Sequence, residues 1–192
     1  MYKSKEEQDF ADWLKEAQEH GLISSWEYEP RSFILFEKQT YEETVQLKTK
    51  TKIVERHLHA EASYTPDFMM LLTPLGSRLL HDVFKPSIEG IGDGCVWVDV
   101  KGNYDAVRKD GRFFSLIQKA LYSKHGVWVE KVVPFFQTGR GAKKKAKGLF
   151  AAAFAPESRR WIKGRKVPTL SVCGEACCGV EEFVEANDGG QQ

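Results

Sequence analysis

Two short strings in the chain place an aspartate inside a strand-like run of apolar residues. Asp67 lies in Tyr64-Thr65-Pro66-Asp67-Phe68, and Asp99 lies in Trp97-Val98-Asp99-Val100-Lys101-Gly102. A carboxylate in such a setting gives up its hydration and needs a partner to compensate. A metal ion is the natural partner, so these two aspartates are the first candidates for a functional site.

A lysine adds to this pair. Lys101 follows Asp99 by two positions, so on a strand both side chains project from one face while Val98 and Val100 pack behind. Two carboxylates suit a hard cation such as Mg²⁺ or Mn²⁺. The cation and the ammonium group together assist attack by water and stabilise charge on a phosphate. The residue types and spacing therefore indicate metal-dependent cleavage of a phosphodiester.

The order Pro66-Asp67, a gap, then Asp99-Val100-Lys101 resembles the signature of the PD-(D/E)xK nuclease superfamily. The similarity extends to other parts of the chain that are found in phage Holliday-junction resolving endonucleases. These parts are Ser4-Lys5-Glu6-Glu7, Gly21-Leu22-Ile23, Trp26-Glu27-Tyr28-Glu29, Gly102 after the lysine, and a basic helix from residue 108 to 125.

The resemblance implies an α/β fold with a mixed central β-sheet flanked by helices, a restriction-endonuclease-like core. It implies a Mg²⁺-dependent or Mn²⁺-dependent DNA endonuclease that acts on branched or double-stranded DNA in phage recombination or DNA processing, and that works as a homodimer. The catalytic residues that it implies are Glu7, Asp67, Asp99 and Lys101, and the metal ligands are Asp67, Asp99, Glu7 and the backbone carbonyl of Val100.

The spacing of the two aspartates departs from what the resemblance leads us to expect. Between Asp67 and Asp99 lie 31 residues, more than two neighbouring strands of a hairpin need. We therefore expect an insertion between Leu71 and Val96.

Glu7 has two interpretations. Residues 4 to 19 have the apolar spacing of a helix that ends near Gly21, and Ser4 with Glu7 has the spacing of a capping box. Glu7 also lies at the edge of the apolar stripe, from which it could reach a buried metal. Glu6 lies on that stripe too, and the resemblance favours Glu7.

The strand pattern predicts an exposed hairpin and a covered centre. Residues 44–49 and 52–58 alternate as a half-exposed hairpin would, and His57 and His59 read as a surface pair on it. Residues 64–72 and 95–101 are more continuously apolar, as expected for central strands, and residues 127–133 predict a further strand.

A helix is predicted from Arg108 to Lys124. Its expected inward residues are Phe113, Leu116, Ile117, Ala120 and Leu121. Gln118 and Tyr122 lie four residues apart on this helix, a QxxxY spacing that also occurs near the active site of RecB-like nucleases. The simpler interpretation is a packing tyrosine beside a surface glutamine, and support of the active site from behind is the alternative.

Length and charge predict a nuclease core over residues 1–138 and a basic linker with a C-terminal extension over residues 139–192. The net charge of +1 conceals a local excess of cations, since residues 140–147 carry five and no acid. The cations of this tract are candidates for DNA binding through phosphates: Arg140, Lys143, Lys144, Lys145 and Lys147.

The four cysteines predict neither a disulfide framework nor a convincing zinc site. Cys173, Cys177 and Cys178 include no CxxC pair and have no second ligand pair nearby. The N-terminus shows no signal-peptide pattern, and no apolar run approaches the ~20 residues of a membrane span. We expect a cytoplasmic protein, in the host cytoplasm if a phage encodes it.

Two other functions are compatible with the sequence. A transposon-end-cutting or generic recombination nuclease would carry the same acidic residues and lysine, and would act with a partner protein. A DNA-binding accessory protein could keep the fold without catalysis, although the intact Asp99-Val100-Lys101 string argues against that.

Overall fold

A mixed β-sheet with helices around it forms the centre of the protein. The computed structural model describes residues 2–84, 94–102, 111–138, 145–159 and 179–188. The helices are α1 Lys5–Glu19, α2 Pro74–Leu79, α3 Gly111–His125, α4 Leu149–Ala152 and α5 Val180–Asp188, with a 3-10 turn at Glu157–Arg159. The strands are β1 Ile23–Tyr28, β2 Phe33–Phe36, β3 Gln39–Gln46, β4 Thr51–His59, β5 Ala62–Tyr64, β6 Phe68–Leu72, β7 Cys95–Val100, β8 Val129–Val132, β9 Phe136–Thr138 and β10 Lys145–Lys147.

The central sheet has four strands in the order β1-β6-β7-β8. Strands β1, β6 and β7 pair antiparallel with one another, with Trp26 opposite Met70 and Met70 opposite Val96. Strand β8 runs parallel to β7, with Val98 opposite Glu130. A parallel pair needs a crossover, and α3 lies between these two strands in the chain. The predicted mixed α/β architecture is therefore confirmed at this level.

Helix α1 covers one face of the sheet because its apolar residues recur at helical spacing. Phe10, Trp13 and Leu14 are fully buried and belong to the same cluster as Phe68 and Met70 of β6. Burial of each such side chain contributes about 1.5–3 kcal/mol. Since α1 begins one residue after Ser4, this packing also fixes where Glu7 lies.

The predicted strand over residues 64–72 is wrong as a single element. Strand β5 ends at Tyr64, and β6 begins at Phe68. Proline lacks the backbone N–H that a ladder requires, so Pro66 interrupts the strand. The interruption places Asp67 at the start of β6 instead of within a strand.

The expected insertion between the two aspartates is partly helical. Thr73 caps α2 by accepting a hydrogen bond from Gly76 N at 3.0 Å. The chain beyond α2 returns to the core, where Phe84 lies 5.9 Å from Trp13 between ring centroids. Strands β6 and β7 still pair directly, so the insertion does not separate the aspartates.

Residues 33–64 form a long antiparallel ribbon, which we call the ribbon. Its base is the β2–β5 pair and its outer part is the β3–β4 pair. Phe33 anchors the base in a second apolar cluster with Phe114 and Leu121 of α3. The predicted hairpin is confirmed. Its turn lies at residues 47–50, whereas the predicted strands 44–49 and 52–58 leave only residues 50 and 51 for the turn.

The inward face predicted for the 108–124 helix is partly wrong. Phe113 and Leu116 are 70% and 65% exposed, whereas Phe114 is 9% exposed and Leu121 is fully buried. Both apolar stripes exist on this helix, and the one that includes Phe114 meets the base of the ribbon and β8. The described part of α3 runs from Gly111 to His125, and residues 108–110 of the predicted helix lie outside the described residues.

The described part of the C-terminal extension packs into the main core. Phe154 stacks on Trp13 of α1 with ring centroids 4.9 Å apart. Val180 and Phe183 of α5 belong to the same apolar cluster. The boundary at residue 138 stays a prediction. Within the residues that the structure describes, no helix has the length and apolar character needed to cross a bilayer.

Candidate functional site

Asp67 is fixed by hydrogen bonds on both sides of its position. Its backbone carbonyl accepts a hydrogen bond from Glu29 N at 2.8 Å, just beyond the end of β1. Its carboxylate oxygen Oδ2 accepts a hydrogen bond from Val100 N at 2.7 Å, at the end of β7. The Asp67 side chain therefore lies beside the residue that follows Asp99.

Asp99 is a buried acid on β7. It is 2% exposed, and its Oδ2 atom lies 2.6 Å from Nζ of Lys101. The expectation that Asp99 and Lys101 share a face is confirmed by this ion pair. Apart from the ion pair, the Asp99 Oδ2 atom accepts no hydrogen bond of regular geometry from the described residues.

The two aspartates repel each other. Burial, then the Asp99 charge, raise the pKa of Asp67 to about 7. The hydrogen bond from Val100 and the Lys101 ammonium oppose this rise, and the Glu7 carboxylate adds to it. The region therefore holds more negative charge than its own cation neutralises.

Glu7 is buried and accepts several hydrogen bonds. It is 6% exposed, and its Oε2 atom accepts bonds from Lys3 N at 2.9 Å and from the Tyr28 hydroxyl at 2.8 Å. Ser4 Oγ donates to Glu7 Oε1 at 3.2 Å and accepts from Glu7 N at 3.1 Å. Glu7 is thus the partner of the capping residue Ser4 and also the buried acid next to the site. Neither interpretation of Glu7 excludes the other.

Glu6 lies on a different side of the helix end. It is half-buried, and a Cβ atom at Gly102 would come within 3.3 Å of Glu6 Oε1. This contact is tighter than ordinary van der Waals packing, so a residue with a side chain after Lys101 would displace Glu6. Gly102 lets the first turn of α1 approach the end of β7 closely.

Two tyrosines that the sequence analysis did not assign lie at the site. Tyr28 of β1 donates to Glu7, and burial and that bond raise the pKa of Tyr28. Tyr64 ends the ribbon, and burial and the Asp99 charge raise the pKa of Tyr64. The Tyr64 hydroxyl makes no hydrogen bond of regular geometry with a described residue, although an interaction with the Asp99 carboxylate contributes to this rise. Tyr28 lies in the string 26–29 and Tyr64 lies just before Pro66, and these positions are the only sequence signals for them.

The QxxxY pair has a packing role in the described contacts. Gln118 Nε2 donates to the backbone carbonyl of Val129 at 2.7 Å, which joins α3 to β8. Tyr122 meets Trp128 edge-on with ring centroids 6.4 Å apart. Gln118 is half-buried instead of lying on the surface, and Tyr122 is 38% exposed. Both interpretations of the pair stay predictions.

Other predicted site residues fall partly or wholly outside the described chain. Arg140, Lys143 and Lys144 lie outside the described residues, and Lys145–Lys147 forms β10, paired with β9. Cys173, Cys177 and Cys178 also lie outside. His57 and His59 are exposed, as expected of a surface pair.

The described residues contain a partial set of ligands for a metal. No three His, Cys, Asp or Glu side chains within the described ranges lie close enough together to hold an ion by themselves. Asp67 and Asp99 suit a hard divalent cation as ligands, because both are carboxylates and their charges repel each other at this position. Backbone carbonyls, water and substrate phosphate are the usual further ligands of Mg²⁺.

Comparison with known proteins gives no relative for this chain. It matches no family model, no curated protein and no solved structure.

Proposed function

We propose that this protein is a metal-dependent DNA endonuclease with a PD-(D/E)xK type of active site. The observation that supports it most is the arrangement of Asp67, Asp99 and Lys101. Asp67 precedes β6, Asp99 lies on the neighbouring strand β7, and Lys101 pairs with Asp99 at 2.6 Å. Such a group of two acids and one cation at the ends of adjacent strands suits the hydrolysis of a phosphodiester.

The mixed sheet with α3 as a crossover supports a restriction-endonuclease-like core, which is part of the same proposal. Asp67 and Asp99 would hold Mg²⁺ or Mn²⁺, with Glu7 and the Val100 carbonyl as further ligands. The bound ion would supply Lewis-acid stabilisation of the phosphate and lower the pKa of the attacking water.

The residues of the candidate site have separate roles in this proposal. Lys101 directs its ammonium group to the phosphate, where it neutralises developing charge, and Asp99 orients that ammonium group. Val100 N–H keeps the Asp67 carboxylate turned toward the site. Tyr28 and Ser4 hold Glu7 in place.

Preference for branched DNA and action as a homodimer are proposed from the resemblance to phage resolving endonucleases. Two symmetric copies would place two such sites on the two strands of a junction. Contacts with phosphates suffice for recognition by shape, since they position a protein without reading bases.

Cleavage of three DNA forms tests the proposal directly. Purified protein with Mg²⁺ is given linear duplex, single-stranded and four-way DNA of the same sequences, and cutting of the four-way form is expected to be fastest. The Asp99→Asn variant should lose about 10²–10³-fold in rate, as expected when one electrostatic contact to the transition state is removed.

The matched control is Glu27→Gln, which removes an exposed carboxylate from β1 of the same sheet and should cut at the wild-type rate. Wild-type rates from Asp99→Asn would place the active site elsewhere. Failure to cut any of the three DNAs with Mg²⁺ or Mn²⁺ would leave the protein without the proposed activity.

A further inference from the structure

The outer end of the ribbon concentrates positive charge on a projecting structure. Between Thr44 and Ile53 the chain carries Lys48, Lys50 and Lys52 and no acid. Every residue from position 46 to 53 is exposed, and Leu47 N donates to Lys50 O at 2.8 Å to close the turn. We call residues 46–52 the tip.

The middle of the ribbon has a different charge. Glu42 lies directly opposite Glu55 in the β3–β4 register, and like charges at such positions repel. Glu43 is neutralised by Arg56, whose Nε atom lies 2.7 Å from its carboxylate. The middle of the ribbon therefore offers no net attraction to a polyanion. The favourable contacts of a polyanion would be confined to the tip.

The ribbon has the shape and reach to contact duplex DNA. The major groove is about 12 Å wide and admits a two-stranded β-ribbon. The eight residues of β3 span about 26 Å. That length corresponds to about 8 base pairs of duplex, at about 3.4 Å per base pair.

The base of the ribbon is joined to the candidate active site. Tyr64 pairs with Phe33 at the base, and Tyr64 is three residues before Asp67. His125 of α3 contacts the Ile34 carbonyl at 2.8 Å, and Phe33 meets Trp97 of β7 with ring centroids 5.2 Å apart. These contacts therefore connect the ribbon to residues next to Asp67 and Asp99.

We propose that the tip of the ribbon binds the phosphate backbone of duplex DNA through Lys48, Lys50 and Lys52, on a part of the duplex away from the phosphate that is cut. The exposed hydroxyl of Thr49 adds a neutral donor to the same phosphates, whereas the Thr51 hydroxyl donates to Gln46 Oε1 at 3.3 Å within the tip. This inference rests on the proposed function, because it assigns part of the DNA surface of the same nuclease.

The test measures salt dependence of DNA binding without cleavage. Full-length protein is titrated with a 30-base-pair duplex in EDTA at several salt concentrations. The triple variant Lys48→Gln, Lys50→Gln, Lys52→Gln should flatten the slope of log K against log salt by about 2.7, or about 0.9 for each lost contact. Between 50 and 200 mM salt, the wild-type affinity should then fall about 40-fold further than that of the variant.

The matched control keeps the charge and changes the side chain. Lys48→Arg, Lys50→Arg, Lys52→Arg should retain the wild-type slope. Hydroxyl-radical footprinting of the uncut complex should show a protected patch that is separate from the protection around the cleavage position. The patch should disappear in the glutamine variant and remain in the arginine variant.

Different failures have different readings. If the wild type binds DNA and the glutamine variant keeps its slope, the tip does not touch DNA and only this inference is wrong. If the wild type shows no salt-dependent binding, the proposed function fails together with the inference. A change in sedimentation mass of the glutamine variant with an unchanged slope would assign the tip to a second copy of the chain and overturn the DNA assignment.

Discussion

The fold disfavours the charged form of the Asp67 carboxyl. Asp67 is half-buried and close to the Asp99 carboxylate, so the pKa of Asp67 is raised to about 7 from its ordinary 3.8. The protonated form is thus favoured by folding. The stability that Asp67 contributes is complete below about pH 4 and is lost as the pH rises through 7.

The first prediction compares wild type with Asp67→Asn, which cannot ionise. In EDTA, the free energy of unfolding of the wild type should fall relative to that of the variant between pH 5.5 and pH 8. Adding Mg²⁺ at pH 8 should stabilise the wild type, by about 2.7 kcal/mol at 100 times its Kd, and stabilise the variant less. Thermal melts at both pH values measure this. Parallel curves for the two proteins would contradict the repulsion between Asp67 and Asp99.

The second prediction separates the two roles of Glu7. Ser4→Ala removes the capping hydroxyl and should cost about 0.5–2 kcal/mol while cleavage continues. Glu7→Gln should lose a similar amount of stability, because one amide hydrogen then faces Lys3 N–H or the Tyr28 hydroxyl, and should also abolish cleavage. Chemical denaturation and Mg²⁺-dependent cutting give the two readings. Normal cutting by Glu7→Gln would make Glu7 a purely structural residue.

The parts of the site that could be predicted from the sequence are those in which the interacting residues are close together in the chain. Asp99 and Lys101 share a face because strand periodicity is two, and Ser4 and Glu7 meet because helix caps follow a fixed spacing. Tyr28 and Tyr64 were not predictable in this way. Each reaches its acid across the sheet or from the ribbon, and a neighbour in space leaves no periodic trace in the sequence.

At the scale of the elements, α3 shows how a helix can be predicted while its orientation is not. Phe113 and Phe114 are adjacent, so a helix turns them about 100° apart and offers two apolar stripes. Which stripe is buried depends on Phe33 and Val129, residues that come from the ribbon and from β8. The existence of α3 is a local property, whereas its buried face is set by tertiary contacts.

The third prediction uses this adjacent pair as a matched experiment. Phe114→Ala should lower the free energy of unfolding by about 3 kcal/mol or more, as expected for truncation of a buried aromatic ring. Phe113→Ala should change it by less than about 0.5 kcal/mol, because that ring is mostly in water. Urea denaturation of the two variants measures the difference. Equal costs would show that something covers Phe113 in solution.

Among the strands, β6 and β7 were predictable because covered strands carry continuous apolar runs. The break before β6 was missed, because the apolar run that follows Pro66 outweighed the proline in the pattern. The pairing of β2 with β5 was also missed. It joins residues about thirty positions apart, and only the closure of the whole ribbon brings them together.

At the scale of the whole molecule, the two ends of the chain share one core. Trp13 of α1 stacks on Phe154, and Phe154 in turn lies 5.9 Å from Phe183 of α5. Composition alone marks residues 139–192 as basic and then acidic, which does not show that a few apolar residues among them are buried.

The fourth prediction concerns truncation. Removal of residues 179–192 takes Val180 and Phe183 out of the core and should cost roughly 3–6 kcal/mol, at about 1.5–3 kcal/mol for each buried side chain. Removal of residues 189–192 alone leaves α5 in place and should have little effect on the melting temperature. Calorimetry of both proteins makes the comparison. A longer truncation that melts like the full chain would show that α5 does not contribute to the core.

The hydrogen bond from Val100 N–H to Asp67 Oδ2, at 2.7 Å, gives the protein a built-in spectroscopic reporter. A short bond to an ionised acceptor deshields the amide proton, and the shift relaxes when the acceptor is neutralised. In a two-dimensional ¹H–¹⁵N spectrum, the Val100 resonance should therefore move with the protonation of Asp67. It should also move when a diamagnetic cation arrives, before any DNA is added. One backbone signal of uniformly ¹⁵N-enriched protein would then report the chemical state of the site without a substrate, an attached probe or a substitution.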